Sequence, residues 1–260
     1  MSFGVALIIT TYNWPNALDW VLGSASRQDS LPDEVIVADD GSLDNTRCII
    51  ETWRKEFNIL HCWQPDDGFR AARVRNLAIQ KATCDYILMV DGDCLLPRNF
   101  VSRHRVLAEK GWMVSGNRHL LSASKTDALL TGSFDEKRLG FNHVKFREIP
   151  LGFLRDLRPT KWATARTCNL GVWRSDLYSV DGFDESYRGW GKEDSDLVVR
   201  LLRTGIRIRS GRFATCVDHL HHPENDKASL TVNMNKFKAV RGAGGGKTSP
   251  TTSMLKSGTY

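Results

Sequence analysis

The sequence predicts an α/β protein with a Rossmann-like, mostly parallel sheet flanked by helices. Three observations carry this. Strand-like runs at VALIITTY (5–12), EVIVADDG (34–41), ILHCWQ (59–64) and YILMVDGD (86–93) have the apolar character of strands buried in a sheet. Segments with apolar residues at helical spacing alternate with these runs. Finally, three of the runs end in polar or acidic groups: Thr10-Thr11-Tyr12-Asn13, Asp39-Asp40-Gly41 and Asp91-Gly92-Asp93. In an open α/β sheet such ends converge on the edge where ligands bind.

Each element follows from its residues. After the first strand, residues 16–27 carry Leu18, Val21, Leu22 and Ala25 on one helical face. The second strand is stopped by Asp-Asp-Gly, and Asp44 is placed to cap a helix over 45–57. The third strand leads to a helix over 70–82, with Ala71, Val74, Leu77 and Ala78 aligned. A helix over 97–110 and a strand over 112–119 follow the fourth strand. Residues 120–160 mix charge, Gly and Pro and read as helices and loops around a substrate. DGFDESYRGWG (181–191) reads as a loop, and Glu193 to Thr204 as a helix with Leu197, Val198, Leu201 and Leu202 inward and Gly205 as its stop. IRIRSGRFATCVDHLHH (206–222) suggests a strand or hairpin running into three histidines. From Pro223 onward six Lys/Arg stand against two acids, and the Gly-rich end has little to bury, so the stretch reads as flexible.

Composition sets bounds. A chain of 260 residues permits one large domain or two small ones sharing a core. Its 24 aromatic side chains exclude a mostly disordered chain. No run approaches the roughly 20 apolar residues of a membrane span. The start MSFGVALIITTYN lacks the basic residues of a secretory signal. Six cysteines without CxxC spacing argue against a disulfide framework or zinc ribbon and fit a reducing cytoplasm. A net charge of +6 suits polyanionic or phosphorylated partners, and suits a merely soluble basic protein as well.

Four constellations bear chemistry. Asp91-Gly92-Asp93 at a strand end offers two hard oxygen donors for Mg²⁺ or Mn²⁺ beside a phosphate; it is also ordinary turn chemistry. Glu193, Asp194 and Asp196 open a helix behind Gly189-Trp190-Gly191. They suit a general base beside a sugar stacked on Trp190, or a helix whose dipole they cap. His219, His221 and His222 follow a strand and can ligate a metal. Arg70, Arg73 and Arg75 can grip phosphate, or form a solvated helix face. GxxxxGK[ST], GxGxxG after the first strand, GxSxG and HExxH are all absent, which disfavours P-loop, dinucleotide, serine-hydrolase and zinc-protease chemistry.

In this order TTYN, ADDGS, RAARVRNLAI, VDGD, GFDESYRGWGKEDSDLVVRL and DHLHHP resemble an inverting GT-A glycosyltransferase of family 2. The second half is similar to the galactosyltransferase-type C-terminal region of bacterial chondroitin polymerase catalytic domains. The resemblance covers about residues 4–223. It implies a GT-A fold, with 1–119 as the nucleotide-sugar half, 120–223 as the acceptor and catalytic half of the same domain, and 224–260 as a basic, flexible tail.

The resemblance also implies roles. Thr10, Tyr12 and Asp39 match base- and ribose-binding positions, with Asp40 in the same acidic pair. Arg70 and Arg75 fall in a segment that approaches the nucleotide. Asp91 and Asp93 match the DXD motif, Asp91 near the ribose and Asp93 as the main contact to Mn²⁺ (or Mg²⁺). His219 completes the metal site, ahead of His222 and then His221. Asp194 matches the base, Glu193 a sugar-binding acid, and Trp190 borders the sugars. Asn169 matches an acceptor-side residue, although Thr167-Cys168 stands where related enzymes often have Gly-Gly.

The implied function is metal-dependent, inverting transfer from a nucleotide sugar, a UDP-sugar first, to a glycan or lipid-linked glycan acceptor. Bacterial surface polysaccharide or lipopolysaccharide synthesis is the expected setting. The expected location is cytoplasmic, the basic tail is read either as a contact with anionic lipid at the inner face of the plasma membrane or as a disordered end, and no nucleic-acid partner is expected. A dTDP- or GDP-sugar donor, a nucleotidyltransferase and a non-catalytic carbohydrate-binding protein are the competing readings.

Overall fold

A computed structural model describes residues 3–132, 162–212, 214–223 and 226–242. Seven strands form the main sheet: β1 (Val5–Thr11), β2 (Glu34–Asp39), β3 (Ile59–Trp63), β4 (Tyr86–Asp91), β6 (Trp112–Ser115), β8 (Leu170–Trp173) and β9 (Arg207–Ser210). Their order is β3-β2-β1-β4-β8-β6-β9. β8 pairs antiparallel with both β4 and β6, while the other pairs in this sheet are parallel. A second sheet joins β5 (Cys94–Leu95), β10 (Cys216–His219) and β7 (Asn117–Leu120).

The apolar runs form the central strands because both of their faces are covered. Val5 to Ile9 and Tyr86 to Val90 are fully buried. Val5, Leu7 and Ile9 pack under α1 (Pro15–Ser26) and α4 (Phe100–Leu107), against Leu18, Leu22 and Phe100. Ala6 and Ile8 face the other way, toward α3 (Ala71–Lys81) and a long helix, α7 (Glu193–Arg203), meeting Val74, Ile79, Leu197 and Leu201. The alternation is the strand period of two. The described chain also includes α2 (Asp44–Trp53), α5 (Ala123–Leu130), a short α6 (Arg174–Ser179), α8 (Leu230–Gly242) and two 3-10 turns, Trp162–Thr164 and Thr167–Asn169.

Register places the polar strand ends together. Thr10 pairs with Asp91, and Thr11 with Asp39, so β2, β1 and β4 end at one level at adjacent positions. The 181–191 loop is fixed above this edge by Asn76, a fully buried residue of α3. Its amide donates to the Phe183 carbonyl (2.9 Å) and its oxygen accepts from the Phe183 N–H (2.8 Å).

Three expectations need correction. Residues 112–119 are two strands in two sheets, because the chain turns at Gly116, beneath the Asn169 amide and beside Gly211. Residues 206–222 are no hairpin: β9 lies on the edge of the main sheet, and β10 lies in the second sheet. Part of the stretch read as flexible is α8, whose Phe237 and Asn233 are buried. Phe237 packs on Trp162 (5.1 Å between rings), and the Asn233 amide donates to the Arg188 carbonyl (3.1 Å). Polar residues on the outer face of α8 conceal these two anchors in a composition reading. Residues 243–260 lie outside the described residues. Among the described residues, no helix is long and apolar enough to cross a membrane.

A Cβ at Gly116 would collide with the buried Asn169 amide. Gly116→Ala should therefore destabilise the fold by about 1–3 kcal/mol, the usual cost of overpacking. A urea titration with an unchanged midpoint would contradict this account of the strand break.

Candidate functional site

A cleft of about 700 Å³ opens at the carboxyl ends of β1 and β4. One wall comes from Thr10, Tyr12, Asp40 and the Asp91–Asp93 turn, the facing wall from Trp190, Glu193 and Asp194, and one end from His219, His221 and His222.

Arg75 ties the walls together. It projects from α3 and is 4% exposed. Its Nε donates to Thr10 Oγ1 (3.1 Å) and its Nη2 to Asp91 Oδ1 (3.2 Å). Its Nη1 reaches Glu193 Oε1 (3.3 Å) and Asp194 Oδ1 (3.4 Å). One guanidinium thus meets three carboxylates from two distant parts of the chain. Burial alone would make Arg75 easier to deprotonate, but the charges of Asp194, Asp91 and Glu193 outweigh it and hold the proton more firmly.

The carboxylates carry surplus negative charge. Burial, then repulsion from Asp194, pushes Glu193 up to about 7 against the pull of Arg75. Burial, then repulsion from Asp93 and Asp194, raises Asp91 to about 6, again opposed by Arg75. Glu193 Oε2 is buried without a hydrogen-bond partner among the described residues. The α7 N-terminus, entered through Lys192 in the left-handed region (φ 83°), lends these acids its dipole.

Asp194 is aimed by a residue 27 positions earlier in the sequence. Its Oδ1 accepts from the Thr167 hydroxyl (2.8 Å) and its Oδ2 from the Thr167 N–H (3.2 Å). Its side chain is 18% exposed and borders the cleft. The carboxylate is therefore oriented yet reachable, which a proton acceptor requires.

The histidine end has metal-ligand geometry. His219 Nδ1 donates to the Leu220 carbonyl (2.8 Å), and His222 Nδ1 to the Pro223 carbonyl (2.6 Å). Both Nε2 atoms then face Asp93 Oδ2, at 3.6 and 3.3 Å. Fixing the tautomer through the outer nitrogen is how ligating imidazoles are oriented. Asp93, His219 and His222 each offer one donor atom, all within 4.8 Å of one another. One carboxylate and two imidazoles suit Mn²⁺. Burial would raise Asp93, but the His222 hydrogen bond and the two imidazoles outweigh it and hold the carboxyl below its usual range.

The structure therefore brings Thr10, Tyr12, Arg75, Asp91, Asp93, Trp190, Glu193, Asp194 and His219 to one cleft. It leaves three expected residues off the cleft lining. Asp39 is 1% exposed and accepts from the Ser42 N–H (2.8 Å), with the His61 Nε2 at 2.9 Å. Asp40 is the acid of that pair on the cleft. The Arg70 side chain is held by Asp67 and the Pro65 carbonyl, while its backbone N–H donates to Asp40 Oδ2 (2.6 Å). Asn169 is 1% exposed, and its amide is consumed by the Asn117 and Thr215 carbonyls (2.9 and 3.0 Å) and by His104 (3.2 Å). Its place is structural, beneath the acceptor-side wall. Arg75, expected at the nucleotide, is engaged instead by the carboxylates. His222, ranked behind His219 in the sequence, stands level with it, and the His-x-x-His spacing after β10 was its available signal. Thr167 had no such signal.

The glycosyl transferase family 2 profile matches residues 6–163, and that of the N-terminal domain of galactosyltransferase matches 156–223. Validoxylamine A glucosyltransferase of Streptomyces hygroscopicus subsp. limoneus is 28% identical over 254 residues, covering 90% of this chain and 56% of the relative. Chondroitin synthase of Escherichia coli is 27% identical over 271 residues, covering 90% of this chain and 38% of the relative. The chain thus spans well under two thirds of these relatives. Among solved structures, S. aureus TarS 1–349 in complex with UDP has a TM-score of 0.64 at 17% identity, covering 91% of this chain and 65% of that one. Mannosyltransferase PcManGT from Pyrobaculum calidifontis, in complex with GDP-Man and Mn²⁺, has a TM-score of 0.63 at 18% identity, covering 98% of this chain and 68% of that one. These likenesses establish the GT-A fold.

The raised Glu193 carboxyl has a consequence for stability. The unfolded chain ionises this group near the ordinary 4.5, the folded chain only near 7, so stability falls as pH rises between them. At about 1.4 kcal/mol per pH unit, Glu193→Gln should relieve roughly 3 kcal/mol at pH 8 and little at pH 4. Denaturant titrations of both proteins in chelator-containing buffer read the difference; parallel pH profiles would refute it.

Proposed function

The chain belongs to glycosyl transferase family 2, and on that premise we propose that it is a metal-dependent, inverting transferase that moves a sugar from a nucleotide donor, a UDP-sugar first, to a glycan hydroxyl. The observation that carries this reading is the pairing, across one cleft, of an Asp93–His219–His222 donor set with an oriented Asp194, joined through Arg75.

Asp93, His219 and His222 would hold Mn²⁺ (or Mg²⁺). When bound, the ion supplies charge neutralisation for a departing diphosphate. The rest belongs to the chain's own groups. Asp194 accepts the proton of the acceptor hydroxyl as that oxygen forms its bond to the anomeric carbon and the carbon–phosphate oxygen bond breaks. Displacement from the opposite face inverts the anomeric centre, so an α-linked donor gives a β-glycoside. Thr167 fixes both Asp194 oxygens, and Arg75 pairs its positive charge with the same carboxylate beside Glu193. Trp190 offers a ring for the sugar's C–H face. Tyr12, half exposed with its hydroxyl donating to Asp66 (2.9 Å), and Asp40 stand where a nucleoside would lie.

The relatives' names, a glucosyltransferase and a chondroitin synthase, support a saccharide acceptor, and a bacterial envelope glycan is the proposed class. A GDP-sugar is the second donor reading, because one neighbour in fold was solved with GDP-Man.

Calorimetry of UDP, GDP, dTDP and CMP with and without Mn²⁺ tests the reading: one nucleotide should tighten in a metal-dependent way, and Asp93→Ala should abolish that tightening. Asp194→Asn should keep nucleotide affinity and lose about 10²–10⁴-fold in turnover. Normal turnover by that variant, or indifference to every nucleotide, would overturn the proposal.

A further inference from the structure

The carboxylates of the cleft are already partnered. Arg75 holds Asp91, Glu193 and Asp194; the two imidazoles face Asp93; Asp40 accepts from Gln64 (2.5 Å) and the Arg70 N–H. Two further guanidiniums nevertheless line this cleft. Arg118, on β7, and Arg166, between the two 3-10 turns, are both exposed, and neither forms an ion pair among the described residues.

Their positions differ: Arg166 stands beside the proposed base, while the strand of Arg118 pairs with β10 and places Leu120 opposite His219 at the metal end. Arg166 directly precedes Thr167, whose hydroxyl and N–H aim Asp194. Arg118 follows Asn117, whose carbonyl is bonded to Asn169 in the same 3-10 turn as Thr167. Arg166 therefore flanks the wall that carries Asp194, where an acceptor hydroxyl would approach. Leu120, 62% exposed, lines the cleft opposite His219. An exposed guanidinium beside the proposed base suits a sugar that carries an oxyanion, because the planar fork grips carboxylate or phosphate with two parallel bonds.

We propose that Arg166 forms an oxyanion subsite, and that the acceptor bears a carboxylate or phosphate close to the hydroxyl that Asp194 deprotonates. This rests on the proposed transferase reading and narrows its acceptor class. The subsite gives affinity for the acceptor and sets its register; it takes no part in donor binding.

The full chain is titrated by calorimetry with methyl β-D-glucuronide, glucose 6-phosphate and neutral methyl β-D-glucoside, with and without UDP and Mn²⁺. At least one anionic probe should bind about tenfold or more tightly than the neutral one, the effect of a charge-assisted bond. The glucuronide and phosphate arms tell which oxyanion is preferred. Arg166→Gln should erase the preference, Arg166→Lys should restore part of it, and UDP affinity in both should stay within about twofold of the parent. Equal binding of charged and neutral probes overturns the proposal. A loss of UDP affinity of about tenfold in Arg166→Gln also overturns it, by assigning the residue to the donor. Absence of UDP binding in the parent overturns the transferase reading instead, and the metal-free titrations then decide the subsite alone.

Discussion

The site depends on one buried cation. Arg75 reaches Thr10 at the end of β1, Asp91 at the end of β4, and Glu193 and Asp194 at the start of α7. Without it, three carboxylates would converge in a partly desolvated cleft with no positive group between them. Such an assembly is favourable only while paired, since a buried ion that loses its partner leaves the other charges uncompensated. Even paired, the cluster remains two charges negative when all its acids ionise. Glu193 and Asp91 are raised by burial first and then by that imbalance. A divalent cation at the neighbouring Asp93 would offset it, so the proposed metal site and the arginine cluster belong to one electrostatic arrangement.

The acceptor-side turn shows how a departure in sequence becomes a contact. Thr167 and Cys168 stand where similar enzymes often have paired glycines. A glycine at 167 could present its N–H to Asp194 but no hydroxyl; Thr167 presents both. The side chain thus adds a second fixed donor to the group proposed as the base. Orientation of this kind narrows the directions from which a hydroxyl can approach.

Most of the fold was legible because it rests on local periodicity. The β1, β2 and β4 runs are buried on both sheet faces, and their polar ends mark the cleft directly. Legibility failed where long-range packing decides. Gly116 splits a strand only because Asn169, 53 positions later, occupies the space a side chain would need. Asn169 was expected on the acceptor side, yet its amide closes a buried network with His104 and two carbonyls. Asp39 and Asp40 are adjacent, and a strand end turns one inward and the other to the cleft; type and spacing cannot say which. Arg75 was identified as a site residue, but its partners come from segments more than a hundred residues apart. α8 was missed because two buried side chains anchor an otherwise polar helix.

The pairing of Thr10 with Asp91 and of Thr11 with Asp39 bears on how such a chain can diverge. Exchange of one aliphatic residue for another within β1 disturbs packing alone. Insertion of a single residue would invert every side chain beyond it, turning Thr10 away from Arg75 and exchanging the two helix layers. Lineages descended from this scaffold should therefore vary freely in strand composition, keep strand length constant, and concentrate gains and losses of residues in the connections distant from the cleft.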